Sequence, residues 1–487
     1  MPPRLSEQTL GHAQPGTARP GYVRAACQVG WVHFGPGAFH RAHQAYYADR
    51  LLEHDPRWAI SAVALHSAGV HDALAPQDYL YCLAELGPEA PVRVIGALRE
   101  ILLAAREPGA VFARLESPHT RLITLTVTEK GYCLEAGGRL DVSHPDVQHD
   151  LAVPHRPRSV IGFLAEGLRR RHAGGQSPCA VVSCDNLAEN GPTLRAAVIA
   201  FAARRGGELA RWIEREVAFP RTMVDSITPA TDERLLERVE QVTGLTDAWP
   251  VQREMFTQWV IEDLPQVRVA DWASVGVQLT NDVGVYERAK LRLLNAAHST
   301  LAYVGLLRGH TTVAEAMIDG PLARLVEHLM RGDITPSLAD GGVIDIGAYI
   351  EATLGRFRNP SVHHQLEQIA WDGSQKLPVR LLPTLTEALA AGRPVERLAV
   401  PVAAWIRFIV ERARAGGRLT DPLAEQLLVL GRDCTGDPRR DVSRFLALQA
   451  VFPARLAAAP AFAGAVSEAY RALSAAGAIP PRLCAAG

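Results

Sequence analysis

The sequence predicts a two-part α/β protein: a parallel sheet covered by helices over residues 25–280, then a mostly α-helical domain over 281–487. Three observations carry this. In the first half, short runs rich in Val, Ile and Leu alternate with helix-periodic segments, the pattern of a sheet buried on both faces. Beyond Gly276-Val277-Gln278-Leu279-Thr280-Asn281-Asp282 strand-like runs nearly vanish and helical periodicity dominates. A chain of 487 residues is also long enough for two cores.

Residues 1–24 are polar and rich in Pro and Gly, and read as a loose leader. VGWVHFGPGAFHRAHQAYYADRLLEH at 29–54 reads as strand, glycine turn and helix. WAISAVAL at 58–65, VRVIGAL at 92–98, RLITLTVTEKGY at 121–132 and PCAVVSCDN at 178–186 are further strand candidates. SVIGFLAEGLRRRH at 159–172 and GPTLRAAVIAFAARR at 191–205 are helical between and after them. In the second domain AKLRLLNAAHSTLAYVGLL at 289–307, PLARLVEHLMRG at 321–332, GAYIEATLGRFRN at 347–359, VAAWIRFIVERARA at 402–415 and DPLAEQLLVLG at 421–431 all carry helical periodicity. ARLAAAPAFAGAVSEAYRALSAAG at 454–477 is alanine-rich but keeps a helical pattern, so it reads as packed.

A formal net charge of -1 with no long block of one sign argues against a nucleic-acid surface or an anionic-membrane patch. Arg169-Arg170-Arg171 reads as a solvated helix end. The seven cysteines are scattered, with no C-x-x-C pair, and fit reduced thiols. The leader has no signal-like apolar run, and no stretch is long and apolar enough to cross a bilayer. The expectation is a cytoplasmic protein with neither nucleic-acid nor membrane partners.

Gly35-Pro36-Gly37-Ala38-Phe39-His40 follows an apolar strand and opens a helix. Gly35 permits a tight turn, and Gly37 would let backbone N–H groups approach a pyrophosphate. His40 stands where a third glycine is usual, so the turn alone leaves a dinucleotide site and an ordinary strand-to-helix turn equally open. The second strand ends Leu65-His66-Ser67-Ala68-Gly69, with no acid for a ribose 2′-hydroxyl and no Arg for a 2′-phosphate. NAD is therefore preferred, with NADP possible; Asp72 reads as a helix-surface charge. His40 and His43 could share a metal, but no carboxylate or Cys set completes a shell, and no metal is expected.

Lys290, Asn295 and His298 interrupt an otherwise apolar helix, and burying such groups is costly unless each is paired or used. A shielded Lys can serve as a base and an Asn amide can donate to a developing oxyanion. On an ideal helix Glu287, Lys290, Asn295 and His298 fall within an arc of roughly 140°. Lys290 and His298 would lie roughly 12 Å apart along the axis. Periodicity alone favours the plainer reading, a snorkelling Lys with satisfied core Asn and His.

Several segments closely resemble the polyol-specific long-chain dehydrogenase/reductase family, whose branches include mannitol 2-dehydrogenases and fructuronate reductases (D-mannonate oxidoreductases). They are G-P-G-A-F-H-R-A-H-Q at 35–44, T-V-T-E-K-G-Y-C at 126–133 and S-C-D-N-L-A-E-N-G at 183–191. F-P-R-T-M-V-D-S-I-T-P at 219–229, Q-W-V-I-E-D at 258–263, K-L-R-L-L-N-A-A-H-S at 290–299 and D-G-S-Q-K-L-P at 372–378 follow in order. The resemblance implies a Rossmann-type domain followed by a largely helical one, a metal-independent hydride transfer, and a monomer or weak homo-oligomer. Lys290 matches the general base, Asn295 and Asn186 the oxyanion pair, and His298 the residue orienting substrate and base. Glu287 matches a carboxylate linked to proton exchange with solvent, and Asp225 and Lys376 match substrate-pocket residues. Gly35, Gly37, Ala38, Phe39, His66 and Glu129 are the implied cofactor-binding positions.

Two departures bear on specificity. Mannitol dehydrogenases resembling this chain carry acids where Ala68 and Gly69 stand, and an Arg on the polyol hydroxyls where this chain has Gln368. Gln368 with the following I-A-W-D-G-S-Q-K-L-P resembles the fructuronate-reductase branch. V-R-V-I-G at 92–96, V-Q-H-D-L-A at 147–152 and D-A-W-P-V at 247–251 resemble the mannitol branch. The resemblance places a sugar alcohol and its ketose (the mannitol/fructose type) first, with a sugar acid as the alternative.

Overall fold

A computed structural model describes residues 2–87, 90–135, 137–338, 342–473 and 478–484. The chain divides into two compact units, Met1–Val283 and Gly284–Gly487. Among its described residues the first carries eleven strands: β1 Val29–Phe34, β2 Ala59–Ala64, β3 Tyr81–Leu86, β4 Val92–Ile95, β5 Leu98–Leu103, β6 Leu122–Leu125, β7 Ala180–Ser183, β8 Thr222–Asp225, β9 Val251–Glu254, β10 Gln258–Glu262 and β11 Gln278–Thr280.

Five of them form a fully parallel sheet in the order β5-β2-β1-β6-β7. Its central strands are buried along nearly their whole length, which explains their unbroken apolar composition. The order reverses direction at β1, whose neighbours β2 and β6 lie on opposite sides. In open α/β sheets this switch point is where the carboxyl ends of the strands leave room for a ligand. Helices Pro108–Glu116, Val160–Ala173 and Asn190–Ala203 contribute to the core on one face of the sheet.

Two three-stranded sheets flank the first, in the orders β11-β10-β8 and β4-β3-β9. Strands β3, β8 and β9 were not legible as strands; β8 and β9 are only four residues long, and β9 is completed by β3, which is distant in sequence. Trp31 of β1 stacks on Trp259 of β10 with ring centroids 5.7 Å apart, joining the parallel sheet to a flanking one. The Trp31 indole donates to Thr124 Oγ1 of β6 at 2.7 Å.

The leader is not loose, contrary to the expectation for residues 1–24. Leu5 is fully buried among Leu80, Cys82, Val92, Val94, Leu235 and Leu245. Leu5 N donates to Thr246 O and Val94 N to Ala18 O, at 2.9 and 2.8 Å. Arg24 donates to the Gly96 and Leu98 carbonyls. An apolar face on β3 and β4 needs a cover, and the leader supplies it despite its polar composition.

The arginine run is corrected too. Arg171 is buried and donates to the carbonyls of Leu115, Ser117, Thr120 and Ser177. Arg169 and Arg170, with Arg205, converge on the buried carboxylate of Glu166.

The second unit is helical. A 19-residue helix, Glu396–Arg414, packs against Ala296–Leu307 and Pro460–Leu473 in one apolar core. No helix among the described residues is long and apolar enough to cross a membrane. All seven cysteines are free thiols, five of them buried.

Burial opposes ionisation of Glu166, but Arg169, Arg170 and Arg205 outweigh it and hold its carboxyl at about 2. Since this folded-state value is depressed, its stabilisation is present above the ordinary carboxylate range and lost as pH falls from about 4.5 toward 2. Glu166→Gln should therefore destabilise the protein by about 2 kcal/mol at pH 7. Urea titrations of the two proteins should converge as pH falls through that window; a pH-independent gap would refute the ion-pair account.

Candidate active site

The first unit presents its chemistry at the carboxyl ends of β1, β6 and β7. Gly35 ends β1 with φ +93°, and a Cβ there would stand 2.1 Å from Thr126 O. Only glycine fits that turn. Its carbonyl accepts from Thr126 Oγ1 at 2.8 Å, and its N–H donates to Val63 O at 2.9 Å. Gly37 differs: it is exposed, and a Cβ would meet nothing within 4 Å. Gly35 thus serves the turn, whereas Gly37 leaves an open approach to the backbone at the start of Ala38–Ala42.

His40 fills the place of a third glycine by stacking on His33 of β1, ring centroids 3.4 Å apart. Both imidazoles are fully buried, and desolvation holds His33 near 3 and His40 well below the usual range. His43 turns elsewhere, with Nε2 2.9 Å from Gln258 O, and Phe39 stacks on its ring. Among the described residues no three His, Cys, Asp or Glu side chains gather in a metal-ligand arrangement. Ala38 and Phe39 are half-buried, and His66 is exposed just beyond β2. Asp72 is exposed and pairs with the adjacent His71 at 3.0 Å.

The loop after β6 is held by a residue that the sequence reading passed over. Asp185, after β7, accepts from the backbone N–H groups of Val127 and Thr128 at 3.0 and 2.9 Å, and from Tyr132 Oη at 2.7 Å. It stabilises Thr128 at φ +65°, an unfavourable region for a β-branched residue. Burial pushes the Asp185 carboxyl upward, against the lowering effect of these donors. Its neighbour Asn186 is exposed and, with Thr128, Glu129, Lys130 and Asp185, lines an open cavity of about 510 Å³. Asp225, buried, ends β8 opposite Gln258. The D-N pair in S-C-D-N was the available signal for Asp185.

In the second unit the helix Val283–Leu307 is not uniformly α-helical. Lys290–Asn295 form a π-turn between α-helical Val283–Ala289 and Ala296–Leu307. On an α-helix residues five apart lie roughly 140° round the axis. Where backbone bonds run from i to i+5 the turn is wider, and residues five apart come closer together round the axis. The extra residue therefore rotates Lys290 toward the side that carries Asn295, and His298 follows three residues on. This corrects the α-helical placement expected from periodicity. Arg292, inside the π-turn, is anchored to Ser337 O at 2.9 Å and to both carboxylate oxygens of Glu387.

Asn295 and His298 are buried, 8% and 6% exposed, and His298 Nε2 has no hydrogen-bond partner in the protein. Lys290 and Glu287 are half-buried. The His298 ring lies 4.6 Å from Phe357 and 5.0 Å from the His364 ring. Desolvation first, then His364, Arg380, Arg356 and Lys376, keep His298 neutral. His364 is likewise lowered to about 4, by burial and then Arg356.

D-G-S-Q-K-L-P forms the start of helix Gly373–Arg380, with Asp372 left-handed at its N-cap. A Cβ on Gly373 would strike Trp405 Nε1 and Tyr303 Oη at 2.4 and 2.5 Å, so glycine permits the close packing. Asp421 accepts from Ser374 N at 2.8 Å and Ser374 Oγ at 2.5 Å. This seat delivers Lys376, whose Nζ donates to Ile369 O at 3.2 Å, and Arg380, whose Nη1 reaches Ser299 Oγ at 3.2 Å. Gln368 is exposed beside Ile369. Arg380 and His364 were absent from the sequence-derived set, because nothing local marks either as facing the helix of Asn295.

A family model described as the mannitol dehydrogenase Rossmann domain matches residues 29–272, and one for the mannitol dehydrogenase C-terminal domain matches 282–474. The chain belongs to the mannitol dehydrogenase family. With it, the chain belongs to the oxidoreductases. It is 37% identical over 465 residues to a mannitol 2-dehydrogenase of Phaeosphaeria nodorum, covering 91% of this chain and 82% of the relative. It is 38% identical over 465 residues to the D-mannonate oxidoreductase of Escherichia coli, covering 94% and 95%. The solved ternary complex of Pseudomonas fluorescens mannitol 2-dehydrogenase with NAD and D-mannitol is 39% identical, with a TM-score of 0.82 and 97% of each chain covered.

The two glycines should separate by substitution. Gly35→Ala should lower stability by about 2 kcal/mol or more, from the positive φ and the backbone clash together. Gly37→Ala should melt within a degree or two of wild type. Equal losses in thermal denaturation would contradict the assigned difference.

Proposed function

We propose that this family member is an NAD(P)-dependent oxidoreductase. It interconverts a secondary alcohol of a polyhydroxylated small molecule and the corresponding ketone. The observation that carries the reading is the π-turn Lys290–Asn295. It sets an amine, an amide and a buried imidazole with an unused Nε2 along one helix.

In the oxidative direction Lys290, as the neutral amine, accepts the substrate hydroxyl proton. Asn295 donates an amide N–H to the oxygen as negative charge develops, and Asn186, exposed at the cavity of the first unit, carries the second amide of the proposal. His298, kept neutral, offers Nε2 to a substrate hydroxyl and fixes its orientation. Glu287 passes the proton toward solvent. Asp225 and Lys376 hold substrate hydroxyls, and Gln368 takes the position where mannitol-type relatives have Arg.

The cofactor reading rests on the open backbone at Gly37, the turn that Gly35 enforces and the switch point beside β1. Gly35, Gly37, Ala38 and Phe39 would receive the pyrophosphate, while His66 and Glu129 would flank the remainder of a dinucleotide. When bound, the nicotinamide supplies a two-electron hydride acceptor or donor. The solved relative that carries NAD supports this reading. The exposed, acid-free end of β2 leaves NAD first and NADP possible.

Lys290→Ala should keep NAD affinity within about twofold while turnover falls by about 10²–10⁴, the span of general acid–base catalysis. Calorimetric titration with NAD and steady-state rates check this, and wild-type turnover would remove Lys290 from its role. Burial and then Arg380 lower Lys376 to about 8. It is charged below that pH and neutral above it, so substrate KM should rise as pH passes about 8. In Lys376→Arg the rise should disappear, as read from KM–pH profiles; a rise unchanged in that variant would unseat Lys376.

A further inference from the structure

D-A-W-P-V at 247–251, a segment that the proposed chemistry leaves unused, presents a large aromatic ring to water. Trp249 is 36% exposed, although the residues that hold it, Arg41, Gln77 and Asp247, are all buried. Its N–H donates to Asp247 Oδ1 at 3.0 Å, and its carbonyl accepts from Arg41 Nη1 at 2.5 Å. The preceding Ala248 N–H donates to Gln77 Oε1 at 3.0 Å, and Gln77 Nε2 donates to Asp247 Oδ1 at 2.8 Å. The Arg41 guanidinium also lies over the indole, 5.7 Å from the ring centroid. This network fixes the backbone on both sides of an apolar ring that stays open to solvent. The ring stands at a defined place in the fold. A Cβ on Gly69 would lie 3.3 and 3.6 Å from its Cζ3 and Cη2 atoms. Gly69 follows the carboxyl end of β2, where a Rossmann-type sheet holds the ribose of the adenosine half. Arg41 belongs to Ala38–Ala42, the helix that the Gly35–Gly37 turn opens, so one side chain ties the tryptophan to the pyrophosphate end.

We infer that Trp249 is a further cofactor-binding residue, its indole forming a wall of the adenine site. The inference rests on the proposed NAD(P)-dependent reading and deepens it. Adenine is a flat ring joined directly to the ribose, so a ribose at the end of β2 brings it within reach of an indole whose tip touches Gly69. Stacking buries apolar area on both rings and needs no counter-charge, which suits an exposed tryptophan with a fixed backbone. It also suits a β2 end that carries neither an acid for the ribose hydroxyls nor an Arg for a 2′-phosphate. The indole reads the base alone and contributes equally to NAD and NADP. Trp249 takes no part in the hydride transfer, and Asp247, Gln77 and Arg41 are positioning residues that act through it.

Calorimetric titrations of the full-length protein with NADH, NADPH, AMP and nicotinamide mononucleotide separate the two halves of the cofactor. Trp249→Ala should weaken NADH and NADPH alike by at least about fivefold, the lower end of the span for base–aromatic stacking. AMP, which carries the adenine half, should weaken by a similar factor, whereas nicotinamide mononucleotide, which lacks it, should change by less than about twofold. Trp249→Phe, which keeps a stacking face, should recover part of the loss, with melting curves run on both variants to show that the fold is intact. Unchanged NADH and AMP affinity in Trp249→Ala, or an equal loss for nicotinamide mononucleotide, would overturn the adenine assignment and leave the oxidoreductase reading intact. Wild-type protein that binds neither NADH nor NADPH would overturn both.

Discussion

One additional backbone residue in one helical turn sets the helix that carries Lys290, Asn295 and His298 apart from an ordinary α-helix. Lys290–Asn295 adopt the wider π-helical turn, while the segments on either side remain α-helical. That change rotates the amine toward the amide and imidazole that follow it without interrupting the helix. The wider turn is braced where it is weakest. Leu293 and Leu294 are buried in the apolar core, and Arg292 is tied to Ser337 and Glu387. Three residues beyond the wider turn, the buried His298 keeps an imidazole nitrogen, Nε2, with no hydrogen-bond partner in the protein.

In the first unit the equivalent constraint is the crowding between β1 and β6. Gly35 approaches Thr126 so closely that no Cβ fits, and the turn is then bonded on both sides. Asp185 performs a similar service for the next loop, trading the desolvation of its carboxylate for two backbone N–H groups and a tyrosine hydroxyl. Both devices fix loops at the carboxyl ends of parallel strands. His40 shows that a fingerprint position can be filled by stacking rather than by glycine, since His33 beneath it provides a flat partner.

The helix Gly373–Arg380 rests on a different kind of constraint, close packing at its first residue. Gly373 packs tightly on Trp405 and Tyr303, and this contact sets the helix that carries Lys376 and Arg380. A seat made for packing thus also aims two cations. Burial first, and then the nearby cations, keep His298 and His364 in the neutral form, the form in which one ring nitrogen can still accept a hydrogen bond.

Much of this was written locally. The alternation of apolar runs with helical segments gave the parallel sheet, its cessation near Thr280 marked the change of architecture, and Lys290, Asn295 and His298 stood out as polar groups in an apolar helix. What adjacent residues could not reveal were features whose partners lie far along the chain. The leader became ordered because β3 and β4 offered it an apolar face, and Arg171 became buried because four distant carbonyls surround it. The π-turn escaped for a related reason: a helical hydrophobic pattern does not distinguish i-to-i+4 from i-to-i+5 bonding, which depends on how neighbouring helices hold the backbone. Periodicity and composition record the local balance of propensity and burial, so the sequence determined the elements and most chemical groups. Charge compensation is a sum over residues brought together only by folding, so tertiary structure alone decided that Glu166 would gather three arginines and Asp185 would hold a loop.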